Sequence, residues 1–121
     1  MEINKETLKG HIDTLILSIL ANGDCYGYQI AKDVRCISNN TLQLKEGTMY
    51  LSLKRLENKG IIESYWGEEQ NAGGRRKYYK LTEKGEEVFK CKKDEWIMLR
   101  SIMDLFLERN DWHKTNRQIF K

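Results

Sequence analysis

Residues able to recognise a polyanion gather in two places in this chain. On a helix of 3.6 residues per turn, the stretch EGTMYLSLKRLENKG, Glu46 to Gly60, turns Thr48, Leu51, Lys54 and Arg55 to one side, with Tyr50 on the flank. Met49, Leu53 and Leu56 fall on the opposite side and can pack. A hydroxyl, a bare leucine and two adjacent cations suit a DNA major groove. There Lys and Arg meet phosphate or guanine, Thr meets a base edge, and an apolar side chain meets a thymine methyl. The second cluster is Arg75, Arg76 and Lys77, consecutive cations suited to phosphates. Each cluster has a plainer reading, as a solvated helix face or as a charged edge that discourages strand addition. Their succession in one short chain favours double-stranded DNA as the partner.

Catalytic chemistry is absent from the pattern. GEEQNAGG leads into a strand rather than a helix, so it is no phosphate loop. The chain has no G-x-S-x-G, no metal-ligand spacing and no carboxylate pair that a pocket would shelter. No catalytic residue, metal or cofactor is expected. Cys25, Cys36 and Cys91 are widely spaced, without a C-x-x-C or a nearby histidine, and read as reduced thiols of a cytoplasmic protein, with a redox-sensing thiol as the alternative. His11 and His113 lie about a hundred positions apart in the sequence and suggest neither metal nor catalysis. MEINKETLKGHID lacks a basic region followed by an apolar one, and no stretch approaches the ~20 apolar residues of a membrane span.

The elements that must position the two clusters follow from periodicity. Leu8, Ile12, Leu15, Ile16 and Ile19 recur at three and four, with Leu17 and Leu20 widening the stripe, so a first helix from Leu8 to Leu20 buries two faces. Asn22-Gly23-Asp24 ends it. A second helix, Gly27 to Ser38, turns Ile30, Ala31, Val34 and Ile37 inward and Gln29, Lys32 and Asp33 outward. After a polar loop comes the Glu46 helix. Residues 61–66 and 76–81, rich in β-branched and aromatic side chains, read as two strands of a hairpin. Helix, helix, helix, hairpin is a winged-helix order, with Arg75 to Lys77 at the base of the wing. The expected fold is mainly α (α+β), a winged helix-turn-helix with a two-stranded wing and a long C-terminal dimerisation helix. The boundary is expected between residues 1–81, the DNA-binding domain, and 82–121, the dimerisation helix and tail.

That last helix begins near Thr82, whose hydroxyl can cap it, with Glu83, Glu86 and Glu87 in the first turn. Phe89, Trp96 and Met103 recur every seven residues, Leu99 and Phe106 interleave, and Cys91, Met98, Ile102 and Leu105 form a second row. Two apolar rows on this helix exceed what its own domain can cover, and self-association would reconcile them with the hydrophilic mean hydropathy of −0.69 over the whole 121-residue chain. A two-fold homodimer is expected, with Leu8, Ile12, Leu15, Trp96, Leu99, Met103 and Phe106 at the interface, and with it an inverted-repeat DNA site. The net charge of +3 is only mildly basic, so any DNA face must come from local clustering.

YGYQIAKDV, EGTMYLSLKRLENKGIIESYW, GGRRKYYKLTEKGEEV and the long closing helix together resemble the PadR family of bacterial winged-helix transcription regulators, over residues 7 to 107. The resemblance implies a probe of DNA built from Tyr28, Thr48, Tyr50, Leu51, Lys54, Arg55, Arg75, Arg76 and Lys77. Leu51 stands where most members carry a proline. The closing helix is similar to that of the multidrug-sensing PadR repressors, in which paired tryptophans at the dimer centre stack planar drugs. On that likeness Trp96 is the effector-binding position, lined by Thr14, Ser18, Phe89 and Arg100. Lys93 and Arg100 replace an aromatic ring and a carboxylate, which suits a neutral or anionic ligand. The expected function is a dimeric DNA-binding regulator, a repressor released by a planar aromatic effector. The alternative is a winged-helix adaptor whose basic face meets an acidic protein.

Overall fold

The computed structural model describes residues 3–69 and 74–109. Eight elements run in the order α1 (Lys5–Lys9), α2 (Ile12–Ala21), β1 (Cys25–Tyr26), α3 (Gly27–Ile37), α4 (Glu46–Asn58), β2 (Ile62–Trp66), β3 (Lys77–Leu81) and α5 (Glu83–Leu107). They form a winged helix in which the β2–β3 hairpin is the wing, followed by one long helix. By contacts the chain forms two compact units, one through Lys90 and one beginning at Cys91, so the division falls inside α5.

The core of the first unit is apolar and continuous. Ile16, Leu17 and Ile30 are fully buried, and Met49, Leu53 and Leu56 each retain 1% exposure, which confirms the packing face of α4. Burial of both faces of α2 also matches its widened stripe, since Ile12, Ile16, Leu17, Ile19 and Leu20 are all buried. Ile12 is thus part of its own subunit's core, whereas Leu8 and Leu15 are half-buried.

Three local readings are corrected. The first helix is not continuous: the His11 amide bonds to the Leu8 carbonyl three residues back (2.8 Å), tightening a turn at Gly10–His11 that separates α1 from α2. Ile37 does not face inward but is 74% exposed, because α3 ends there and Leu42 and Leu44 of the following loop pack against the core instead. Ser38 turns the chain, its Oγ accepting the Leu42 amide (3.0 Å) while Asn39 and Asn40 take positive φ values of 54° and 63°. Finally, the sheet has three strands in the order β1-β3-β2, all antiparallel. β1, only two residues long, shows no periodicity of its own and is defined by its pairing with β3.

The start of α5 is fixed by chemistry legible in its first residues. Thr82 Oγ1 accepts the Gly85 amide (3.0 Å) and lies within hydrogen-bond reach of the Gly60 carbonyl (2.6 Å), so one hydroxyl caps the helix and ties it to the exit of α4. Gly85 is required by close approach: a Cβ there would lie 2.0 Å from the Ile61 carbonyl oxygen. Within the first unit, Val88 and Phe89 of α5 pack partly buried against the core.

Candidate nucleic-acid interface

α4 presents one buried and one open face. Opposite Met49, Ser52, Leu53 and Leu56 stand Thr48, Leu51, Lys54 and Arg55, all exposed, with Leu51 at 69%. Arg55 differs from its neighbours in being held: its Nη2 meets Asp13 Oδ1 of α2 at 2.6 Å and Ser52 Oγ at 3.3 Å. The ion pair anchors α4 on α2, and it constrains the direction in which the guanidinium can reach.

Beside α4 lies an open cleft of about 320 Å³, lined by Tyr26, Gly27, Tyr28, Tyr50, Arg76, Lys77 and Tyr79. Four expected DNA contacts, Tyr28, Tyr50, Arg76 and Lys77, therefore converge from the start of α3, from α4 and from the wing, where Arg76 and Lys77 sit at the loop end of the hairpin rather than at its base, Lys77 pairing with Trp66. The close fit of Tyr50 depends on Gly27, where a Cβ would stand 2.3 Å from the tyrosine oxygen. Thr48, Leu51 and Lys54 lie outside the cleft, on the outer face of α4. Arg75 is also outside, its Nε donating to the Gly67 carbonyl at 2.8 Å across the hairpin. Tyr26, Gly27 and Tyr79 were not expected as lining. The Tyr26-Gly27-Tyr28 triplet carries a signal in hindsight, two aromatic rings flanking a residue with no side chain.

Aromatic rungs hold the cations in place. Cross-strand pairing sets Tyr26 opposite Tyr78 and Tyr78 opposite Tyr65, so three tyrosines line one sheet face. Tyr65 and Tyr78 stack at 5.6 Å between centroids, and Tyr26 meets Tyr78 edge-on at 5.5 Å. The Arg76 guanidinium lies 4.5 Å from the Tyr26 ring centre, and Lys77 Nζ lies 5.8 Å from that of Tyr79. Such contacts orient a cation without neutralising it, which leaves its charge available to phosphate.

The phenols themselves are tied to carboxylates. Tyr65 donates to Asp24 (2.6 Å), and this bond pushes its hydroxyl up to about 12. Tyr78 donates to Glu69, which raises the phenol and lowers the carboxyl, the latter helped by a backbone bond and by Arg76 and Arg75. Burial pushes the Tyr79 hydroxyl up. All three phenols are therefore neutral at ordinary pH.

Other sequence expectations fall elsewhere. Thr14 and Ser18 are half-buried on α2 and Phe89 is half-buried in the first unit, whereas Trp96 and Arg100 are exposed in the second. Trp96, Leu99, Met103 and Phe106 are 48%, 41%, 46% and 62% exposed, an apolar row about half open to water. The Cys25 thiol is raised, by burial first and then by Asp33 and Asp24, the opposite of what a reactive thiolate needs. Among the described residues no group of three or more His, Cys, Asp or Glu could hold a metal ion, and no helix is long and apolar enough to cross a membrane.

Comparison with known proteins agrees with this geometry. The model of the "Transcriptional regulator PadR-like family" matches residues 16–91. A curated relative from Lysinibacillus sphaericus, described as an uncharacterized protein, is 38% identical over 106 residues, which is 88% of this chain and 96% of that protein. A solved transcriptional regulator from Clostridium thermocellum is 39% identical with a TM-score of 0.78, over 87% of this chain and 98% of that one. A PadR family transcription regulator from Clostridium difficile is 54% identical with a TM-score of 0.72, over 81% of this chain and 99% of that one. With the family model spanning α4, the wing and the start of α5, this chain belongs to the PadR-like family of transcriptional regulators, DNA-binding proteins and not enzymes.

Proposed function

We propose that this chain is a repressor that binds an inverted-repeat operator as a two-fold dimer. Each subunit lays α4 in the major groove and sets the cations of its wing on neighbouring phosphates. The observation that carries the reading is the convergence of Tyr28, Tyr50, Arg76 and Lys77 on one cleft beside the open face of α4. Thr48, Leu51 and Lys54 then face base edges and phosphates, and Arg75 reaches phosphate from the hairpin. Arg55, already paired to Asp13, acts chiefly by holding α4 at its angle to α2.

Dimerisation is supported by the exposed row Trp96, Leu99, Met103 and Phe106, with Ile102 and Leu105 on the neighbouring row. Heptad spacing makes this a seam for a second helix, and a two-fold axis accounts for an inverted repeat. In this reading Trp96 meets its own copy near the axis and stacks a planar aromatic effector. The effector releases DNA only to the extent that it binds one spacing of the two recognition helices better than another.

Gel shift with the duplex upstream of the protein's own gene, at two salt concentrations, tests the core of the proposal. An inverted repeat should be retained over a scrambled duplex of equal length, and binding should weaken steeply with salt. Equal affinity for both duplexes would overturn sequence-specific reading. For the effector, planar aromatics at about micromolar concentration should quench the fluorescence component lost in Trp96→Ala. Undiminished ligand binding by that variant would remove Trp96 from the site.

A further inference from the structure

We infer that Leu51 is a base-reading residue, selecting thymine through its 5-methyl group at one position of each half-site. The inference rests on the proposed DNA reading and adds to it which base α4 requires. Leu51 is 69% exposed at the centre of the open face of α4, while Met49, Ser52 and Leu53 around it are 3% exposed or less. It therefore belongs to no part of the core. Thr48 stands one turn before it and Lys54 and Arg55 one turn after it, so the leucine is framed by a hydroxyl and cations rather than by other apolar side chains. An isolated leucine in a cationic frame is poorly matched to an apolar protein surface, but well matched to a groove walled by phosphates.

Within that groove the chemistry leaves one partner. Of the groups that base pairs display on the major-groove side, the thymine methyl is the apolar one, and the rest are hydrogen-bond donors and acceptors. Leucine against a methyl removes apolar surface from water on both sides. Leucine against the cytosine amino group, or against the N7 and O6 of guanine, strips water from a polar group and offers nothing in return. The same side chain thus favours thymine and penalises its alternatives, while Thr48 and Lys54 supply the polar contacts on either side.

The test begins with duplexes selected by the wild-type protein from a random-sequence library. In a selected duplex each thymine is replaced singly by deoxyuridine, which pairs identically but lacks the methyl, and affinity is measured by fluorescence anisotropy for wild type and Leu51→Ala. Wild type should lose about fourfold at one thymine per half-site, the worth of one buried methyl. Leu51→Ala should bind the thymine and deoxyuridine duplexes alike and should match wild type on the deoxyuridine duplex. Indifference of wild type to every replacement, or an unchanged thymine preference in Leu51→Ala, would overturn the assignment while leaving DNA binding intact. Failure of the selection to enrich any sequence would instead overturn the DNA reading, and this inference with it.

Discussion

Tyr65 illustrates how much a single side chain on the sheet's tyrosine face does. Its hydroxyl bonds to Asp24 in the turn after α2, and its ring stacks on Tyr78, so one residue couples the end of a helix to the middle strand. Its folded-state value of about 12 lies above the roughly 10 of an unfolded tyrosine. The resulting stabilisation is complete below pH 10 and disappears as pH rises from 10 towards 12, when the phenol deprotonates against a carboxylate. Tyr65→Phe should therefore remove the last-titrating phenol from the alkaline absorbance titration, and should flatten the fall of melting temperature between pH 10 and 12. Loss instead of a phenol titrating near its ordinary value of about 10 would mean that the Asp24 bond does not form in solution. At this scale the sequence was partly readable. Lys54 and Leu51 could be assigned to an open face from spacing alone, because helical period determines which side a residue takes. The restraint on Arg55 was not readable, since Asp13 lies 42 positions earlier and only the packing of α4 on α2 brings them together.

Among the elements, α4 and the wing act as a unit because the same cleft is built from both. Lys54 lies on the helix and Arg76 on the hairpin, and both are exposed. Lys54→Ala and Arg76→Ala should each weaken binding across DNA sequences and reduce the salt slope by about 0.9, as the loss of one phosphate contact requires. A slope identical to wild type in both variants would place the DNA on another face. Long elements were legible for a physical reason: α4 repeats its apolar spacing over Met49, Leu53 and Leu56, and the strands of the wing carry isoleucines and aromatic rings, Ile61, Ile62, Tyr65 and Trp66 on one and Tyr78 and Tyr79 on the other. What escaped was set by tertiary context. Two residues of β1 have no period, the turn at Gly10–His11 interrupts an otherwise regular stripe, and Ile37 follows the pattern of α3 past the edge of the core.

For the molecule as a whole, the proposed association rests on α5. Beyond Lys90 its described residues leave Met98, Leu105 and Phe106 at 67%, 74% and 62% exposure, a continuous apolar strip that water solvates poorly. Met103→Glu should convert a dimer to a monomer by light scattering, and should weaken binding to a full inverted repeat far more than to a single half-site. A variant that stays dimeric would locate the association surface elsewhere. The heptad rows that motivate this were visible in the sequence, whereas nothing in a single sequence could indicate how much of each row the chain's own fold covers.

The short strand β1 has a thermodynamic corollary for DNA binding. Cys25 and Tyr26 lace β3 to the first residue of α3, so Tyr78 and Tyr79, next to the wing cations, are braced from both edges before any duplex arrives. Freezing of this strand then contributes little to the entropy of complex formation, and calorimetry should find a heat-capacity change accounted for by the contact area alone, without the surplus that accompanies coupled folding.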